Sequence, residues 1–284
     1  MKKIFSSLIV AMLCASIAFA GEFGGTSVIN TIIDTDDEQQ KLETDLAYVA
    51  GWYKGESFEL YSVWDQETNT IEFEEANIKF ALFDLNWAIG QKAVPIGFMH
   101  LQRPETSVFI TAPRADVIRN GLHLDTGFDI IQLEGMYWSN NDINEYVIKG
   151  SVSVLDEGVT LFISYNDSEE LRSTYGEFVT GGLFRYESLA VNLSLSGEYM
   201  PDNGNFWAKG VTNPGFFSKV GLFAGYYNLA NNEDIVNGYT DFVYNPDAWV
   251  YGAYMDLSKD VTASLEYKIG EEFNPIVLQF TATF

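Results

Sequence analysis

The chain has 284 residues, 40 of them acidic against 16 basic, giving a formal charge of −24. So acidic a balance excludes a nucleic-acid binder, which needs a basic footprint, and a lone cysteine excludes an intrachain disulfide framework. Apolar residues make up 47% and aromatics 15%, yet past residue 20 no run approaches the ~20 residues that a transmembrane helix needs.

In chain order, Lys2 and Lys3, the apolar stretch 4–17 and the Ala18-Phe19-Ala20 ending read as a signal peptide cleaved after Ala20. Residues 21–284 then form one domain without cysteine, with no linker or low-complexity spacer. Alternating apolar and polar residues predict strands near 26–33, 43–53, 56–65, 71–82, 85–91, 115–124, 128–138, 145–155, 159–166, 175–186, 189–199, 204–211, 217–228, 248–257, 261–270 and 275–284. The weakest are 26–33 and the region 200–217, so fourteen strands is the alternative to sixteen. Many runs approach the nine to eleven residues, roughly, with which a tilted strand crosses a bilayer. Short turns are expected at Lys54 and Gly55, Phe83 and Asp84, Asp125 to Gly127, Asp156 to Gly158 and Ser258 to Asp260, with longer polar loops at the other end. Aromatics near strand ends (Trp52, Tyr53, Trp64, Tyr137, Trp138, Tyr165, Tyr199, Tyr226, Tyr227, Trp249, Tyr251) suit girdles at the two membrane interfaces. The expected fold is therefore all-β, a closed transmembrane antiparallel up-and-down barrel.

The final alternation Ile276, Leu278, Phe280, Ala282, Phe284 resembles the C-terminal signature of outer-membrane barrel proteins. The resemblance implies that Leu278, Phe280 and Phe284 form an assembly signal read by the barrel-assembly machinery. The segment Phe73 to Phe80, continuing through Trp87 to Gly97, resembles a run in porins related to the phosphate-selective and siderophore-porin-like families, with Ile96 where Phe is usual. It implies that residues 92–113, between the fifth and sixth strands, are a third outer loop folded into the barrel. Gly90, Pro95 and Gly97 would end the strand and turn the chain into that loop, because Gly accepts unusual dihedrals and Pro cannot extend a ladder. The class also implies outer-membrane lipid and lipopolysaccharide around the barrel, and a homotrimer as a possible assembly.

Charge is unevenly spread. Lys92, Arg103, Arg114 and Arg119 fall in residues 92–119 with only Glu105 and Asp116, in an otherwise acidic chain. On an inward loop these would form a basic constriction facing an acidic wall, and such opposed charges set ion selectivity. Alternation gives lumen candidates Asp45, Glu59, Glu134, Glu198, Asp256 and Glu266, with Lys149, Arg185 and Lys268 on the basic side. Outward pointing would place an Arg or Lys in lipid, at a cost of about 2–4 kcal/mol at the midplane.

The acidic stretch around Asp34 to Asp45 and the loop 229–247 lack the spacing of a calcium loop. His100 and His123, the two histidines, lie in no nucleophile or metal motif. Neither a catalytic residue, a resident metal nor a cofactor is therefore expected. The sequence favours an outer-membrane porin passing small polar solutes and ions by diffusion. The alternatives are a substrate-specific channel for a small anion or metal chelate, and, in a different class, a secreted β-sandwich that binds carbohydrate.

Overall fold

In the computed structural model, the described residues are 21–34, 42–65, 70–97, 117–140, 143–155, 158–214, 219–228, 247–270 and 274–284. Residues 1–20 and most of the loop following the fifth strand lie outside them. The strands are β1 (Gly21–Asp34), β2 (Leu42–Gly55), β3 (Phe58–Asp65), β4 (Thr70–Leu82), β5 (Leu85–Ala93), β6 (Ile118–Phe128), β7 (Ile131–Asn140) and β8 (Ile143–Val154). They continue as β9 (Val159–Asn166), β10 (Phe178–Glu187), β11 (Val191–Met200), β12 (Asn205–Pro214), β13 (Val220–Asn228), β14 (Asp247–Asp256), β15 (Val261–Gly270) and β16 (Pro275–Thr283). One helix, α1 (Glu169–Tyr175), lies between β9 and β10.

Each strand pairs antiparallel with its chain neighbours, and β1 closes on β16 from Thr26 opposite Thr283 to Asp34 opposite Pro275. The seam is finished by two backbone bonds, Gly25 N donating to Phe284 O at 2.8 Å and Phe284 N to Gly25 O at 3.0 Å. A closed sixteen-stranded ring leaves no open edge, which is the condition for strands to stand in hydrocarbon. The outward face fits that environment: Ile78, Ile148, Leu161, Ile163, Leu222 and Leu265 are all more than half exposed. In water such a belt would be an aggregation surface.

Gly21, Phe284 and the tight connections share one end of the barrel. At 83–84 both central residues have positive φ (56° and 61°), the condition of a type I′ turn whose twist matches its strands. At the opposite, loop end the outward rings of Tyr146, Tyr165 and Phe178 stand 5.3–6.0 Å apart in sequence of contact. Phe206, Tyr226, Trp249 and Tyr251 continue the row at 4.7–6.2 Å. This is half of an interfacial girdle.

All sixteen expected strands are present, and the fourteen-strand alternative is excluded. Several boundaries differ. β6 runs through Asp125 to Gly127, and the turn is at 129–130, where Asp129 takes φ 56°. β2 runs through Lys54 and Gly55, with the turn at 56–57. Gly90 does not end β5, which continues to Ala93; the chain leaves the wall at Val94 and Pro95. Trp138 and Tyr227, expected in the girdles, point inward and are buried. The helix was not expected.

Candidate pore interior

Strand alternation turns every second side chain inward, and the interior of β7–β14 is more apolar than the charge count suggests. Met136, Trp138, Val147, Phe162, Val179, Met200, Trp207, Phe223, Tyr227, Ala248 and Val250 join into one buried cluster. Two connections feed it: Val94 and Ile96 from the segment after β5, and Leu171 and Tyr175 from α1. On this side of the barrel the expected charged residues therefore share the interior with extensive apolar packing. β13 and β14 carry apolar residues on both faces, with Leu222 and Trp249 outward and Phe223, Tyr227, Ala248 and Val250 in the interior cluster.

The ionisable groups are set into this packing in pairs. Lys149 on β8 meets Glu134 on β7 at 2.7 Å, and its ammonium also lies 3.5 Å from the Gly97 carbonyl, to which it donates. On the other side of Gly97 stands Glu198 of β11, so close that a Cβ on Gly97 would come within 2.6 Å of its Oε1. Glu198 also accepts from Trp207 Nε1 at 2.9 Å. Residues 94–97 therefore lie inside the wall, held between β8 and β11. Glu266 and Lys268, one inward step apart on β15, are fully buried, with the Lys268 ammonium 5.1 Å from the Tyr227 ring centre.

The remaining candidates are spread out. Glu59 pairs with Lys79 at 3.1 Å between β3 and β4. Asp256 accepts from Thr262 Oγ1 at 2.8 Å near the turn end, where Arg185 of β10 is exposed. Asp45 lies in β2 opposite Asn30, its side chain outside the described residues. Lys92 faces Arg119 across the β5–β6 ladder at the loop end. Arg103 and Arg114 lie outside the described residues, so the full basic segment is not assembled here.

Sequence reasoning missed the bracing of α1. Ser168 caps the helix by accepting from Leu171 N at 3.3 Å while donating to Glu145 Oε1 at 2.8 Å, and Trp138 Nε1 donates to Glu145 Oε2 at 2.8 Å. Asn166 accepts from Ser168 N at 3.0 Å and donates to Gly176 O at 3.2 Å. Arg119 Nη2 meets Glu170 Oε2 on the helix at 2.7 Å. The signals were in the chain: a Ser N-cap before two glutamates, Leu171 and Tyr175 four apart, and Gly176 at the exit with φ 77°. Lys209, 5.6 Å from the Trp207 ring centre, was also overlooked.

A closed sixteen-stranded barrel with an apolar exterior and charged pairs inside defines a membrane-spanning β-barrel. Among solved structures the chain is similar to Salmonella typhi OmpF in complex with daunomycin, at 11% identity and TM-score 0.59, covering 93% of this chain and 97% of that one. It is similar to OmpT, an outer membrane protein of Vibrio cholerae, at 8% identity and TM-score 0.56, over 93% and 97%. A mutant Rh. blastica porin matches at 10% identity and TM-score 0.61, over 93% and 100%. At such identities the likeness is one of fold. No protein-family model matches the chain, and no curated protein matches it in sequence.

Proposed function

We propose that the protein is an outer-membrane porin, a passive diffusion channel for small polar solutes and ions. The observation that carries this reading is the division of faces around a closed ring: large apolar residues outward, and Lys149, Glu134, Glu198, Glu266, Lys268 and Arg119 inward. Charges facing inward in a closed barrel suit a filter for permeating solutes. The fold shared with porins supports the same reading.

Export by a signal peptide cleaved after Ala20 would deliver the chain to the outer membrane, where lipid and lipopolysaccharide meet its outward face. Leu278, Phe280 and Phe284 would be read by the assembly machinery, and a homotrimer is one assembly open to the barrel. Residues 92–113 would continue inward from the position of Gly97, making Lys92, Arg103, Arg114 and Arg119 the basic side of a constriction against the acidic wall. Salt screens exposed charge over about 8 Å, so only charges at the narrowing act strongly.

Purified protein added to a planar bilayer should give stepwise conductance that rises linearly with salt, and replacing Arg103, Arg114 and Arg119 together by Gln should shift the reversal potential toward cations. Saturating current with one anion would favour the phosphate-selective resemblance and a specific binding site instead. Absence of conductance in correctly folded protein would overturn the channel reading.

A further inference from the structure

We propose that Glu170, carried into the channel mouth by α1, is a selectivity-determining residue that cancels the charge of Arg119. The inference rests on the porin reading and adds to it a carboxylate from a second connection. Arg119 sits at the loop end of β6, opposite Lys92 on β5, so the two cations lie side by side on the inner wall. The Arg119 guanidinium donates through Nη1 to Ile118 O at 2.9 Å and through Nη2 meets Glu170 Oε2 at 2.7 Å.

The pair faces water: the Glu170 side chain is 59% exposed and that of Arg119 24%. A solvated ion pair adds little to stability. Its consequence is for the field in the mouth, because opposite charges in contact leave only a short-ranged dipole where Arg119 alone would attract anions. For this to matter the carboxylate must be held in place, and it is. Leu171 and Tyr175 anchor the helix in the interior cluster. Its start is tied to Glu145 through Ser168, and the return of the chain is tied by Asp202, which accepts from Glu177 N and Phe178 N. Arg172, two residues further along α1, is engaged by Asp167 at 2.8 Å and faces away from Glu170. The basic segment 92–119 therefore presents less positive charge to a permeating ion than its composition implies.

Reversal potentials across a planar bilayer under a potassium chloride gradient test this in the full-length mature protein. Glu170→Gln should lower the cation-to-anion permeability ratio, the direction expected when one positive charge is unmasked beside the permeation path. Glu170→Lys should lower it further, Arg119→Gln should raise it, and the Arg119→Gln, Glu170→Gln double variant should return close to wild type. Gel mobility before heating should match wild type in Glu170→Gln, because the helix keeps its apolar anchors. Channels of Glu170→Gln and Glu170→Lys with the wild-type reversal potential would overturn this inference while leaving the porin reading intact. A folded wild-type protein without conductance would overturn both.

Discussion

At the scale of the residue, two positions carry more than their neighbours suggest. Gly90 has φ +132° in the middle of β5, and a Cβ there would collide with the Ala76 carbonyl of β4. Gly90→Ala therefore strains the backbone and pushes two strands apart, and should cost about 1–3 kcal/mol; a lowered urea midpoint in lipid vesicles measures it. The role foreseen for Gly90, ending the strand, was wrong, but the need for glycine was real. Lys149 is the second. With its side chain 5% exposed and its ammonium between Glu134 and the Gly97 carbonyl, Lys149→Met leaves a mostly buried carboxylate without its cation. Loss of one partner of such a pair costs about 3 kcal/mol, while Lys149→Met combined with Glu134→Gln should recover part of it, a coupling that a double-mutant cycle reads directly.

At the scale of the element, α1 is too short to be stable alone and exists because its ends are capped and two side chains are buried. Ser168→Ala removes the cap and a donor to Glu145. The expected loss is about 1 kcal/mol from the cap, and faster proteolysis within 167–177 in folded protein is the local readout. Unchanged cleavage there would mean that Leu171 and Tyr175 suffice to hold the helix. Strands were easier to read than this helix, since ten-residue alternation repeats along the chain whereas seven residues give less than two full turns of periodicity. The turn misplaced at Asp125 to Gly127 has a similar cause. Asp and Gly are turn formers by preference, but Asp125 and Gly127 pair in register with Glu134 and Gln132, and cross-strand pairing overrides preference.

At the scale of the whole molecule, closure governs behaviour. With β1 bonded to β16 there is no free edge at which detergent or urea can begin to peel the sheet. The folded protein should therefore migrate faster unheated than boiled in detergent gels. Identical migration, with cooperative unfolding in detergent-free buffer, would count against a membrane barrel and for the carbohydrate-binding sandwich.

What the sequence determined by itself was that the chain is a ring of amphipathic strands and, for most of them, which face meets lipid; the choice of sixteen over fourteen came from the closed pairing. A period of two leaves each side chain one of two directions, and the cost of charge in hydrocarbon chooses between them. Thus Lys149, Glu198, Glu266 and Lys268 were identified as inward-facing from alternation alone. Tertiary structure decided what those inward side chains meet. Nothing in the local pattern says that Gly97 sits between Lys149 and Glu198, 52 residues beyond Gly97 in one case, or that Glu170 crosses to Arg119. Such contacts depend on the curvature that closes sixteen strands and on the connections that enter the space inside. An inward face reads the same in sequence whether water or folded chain fills the barrel.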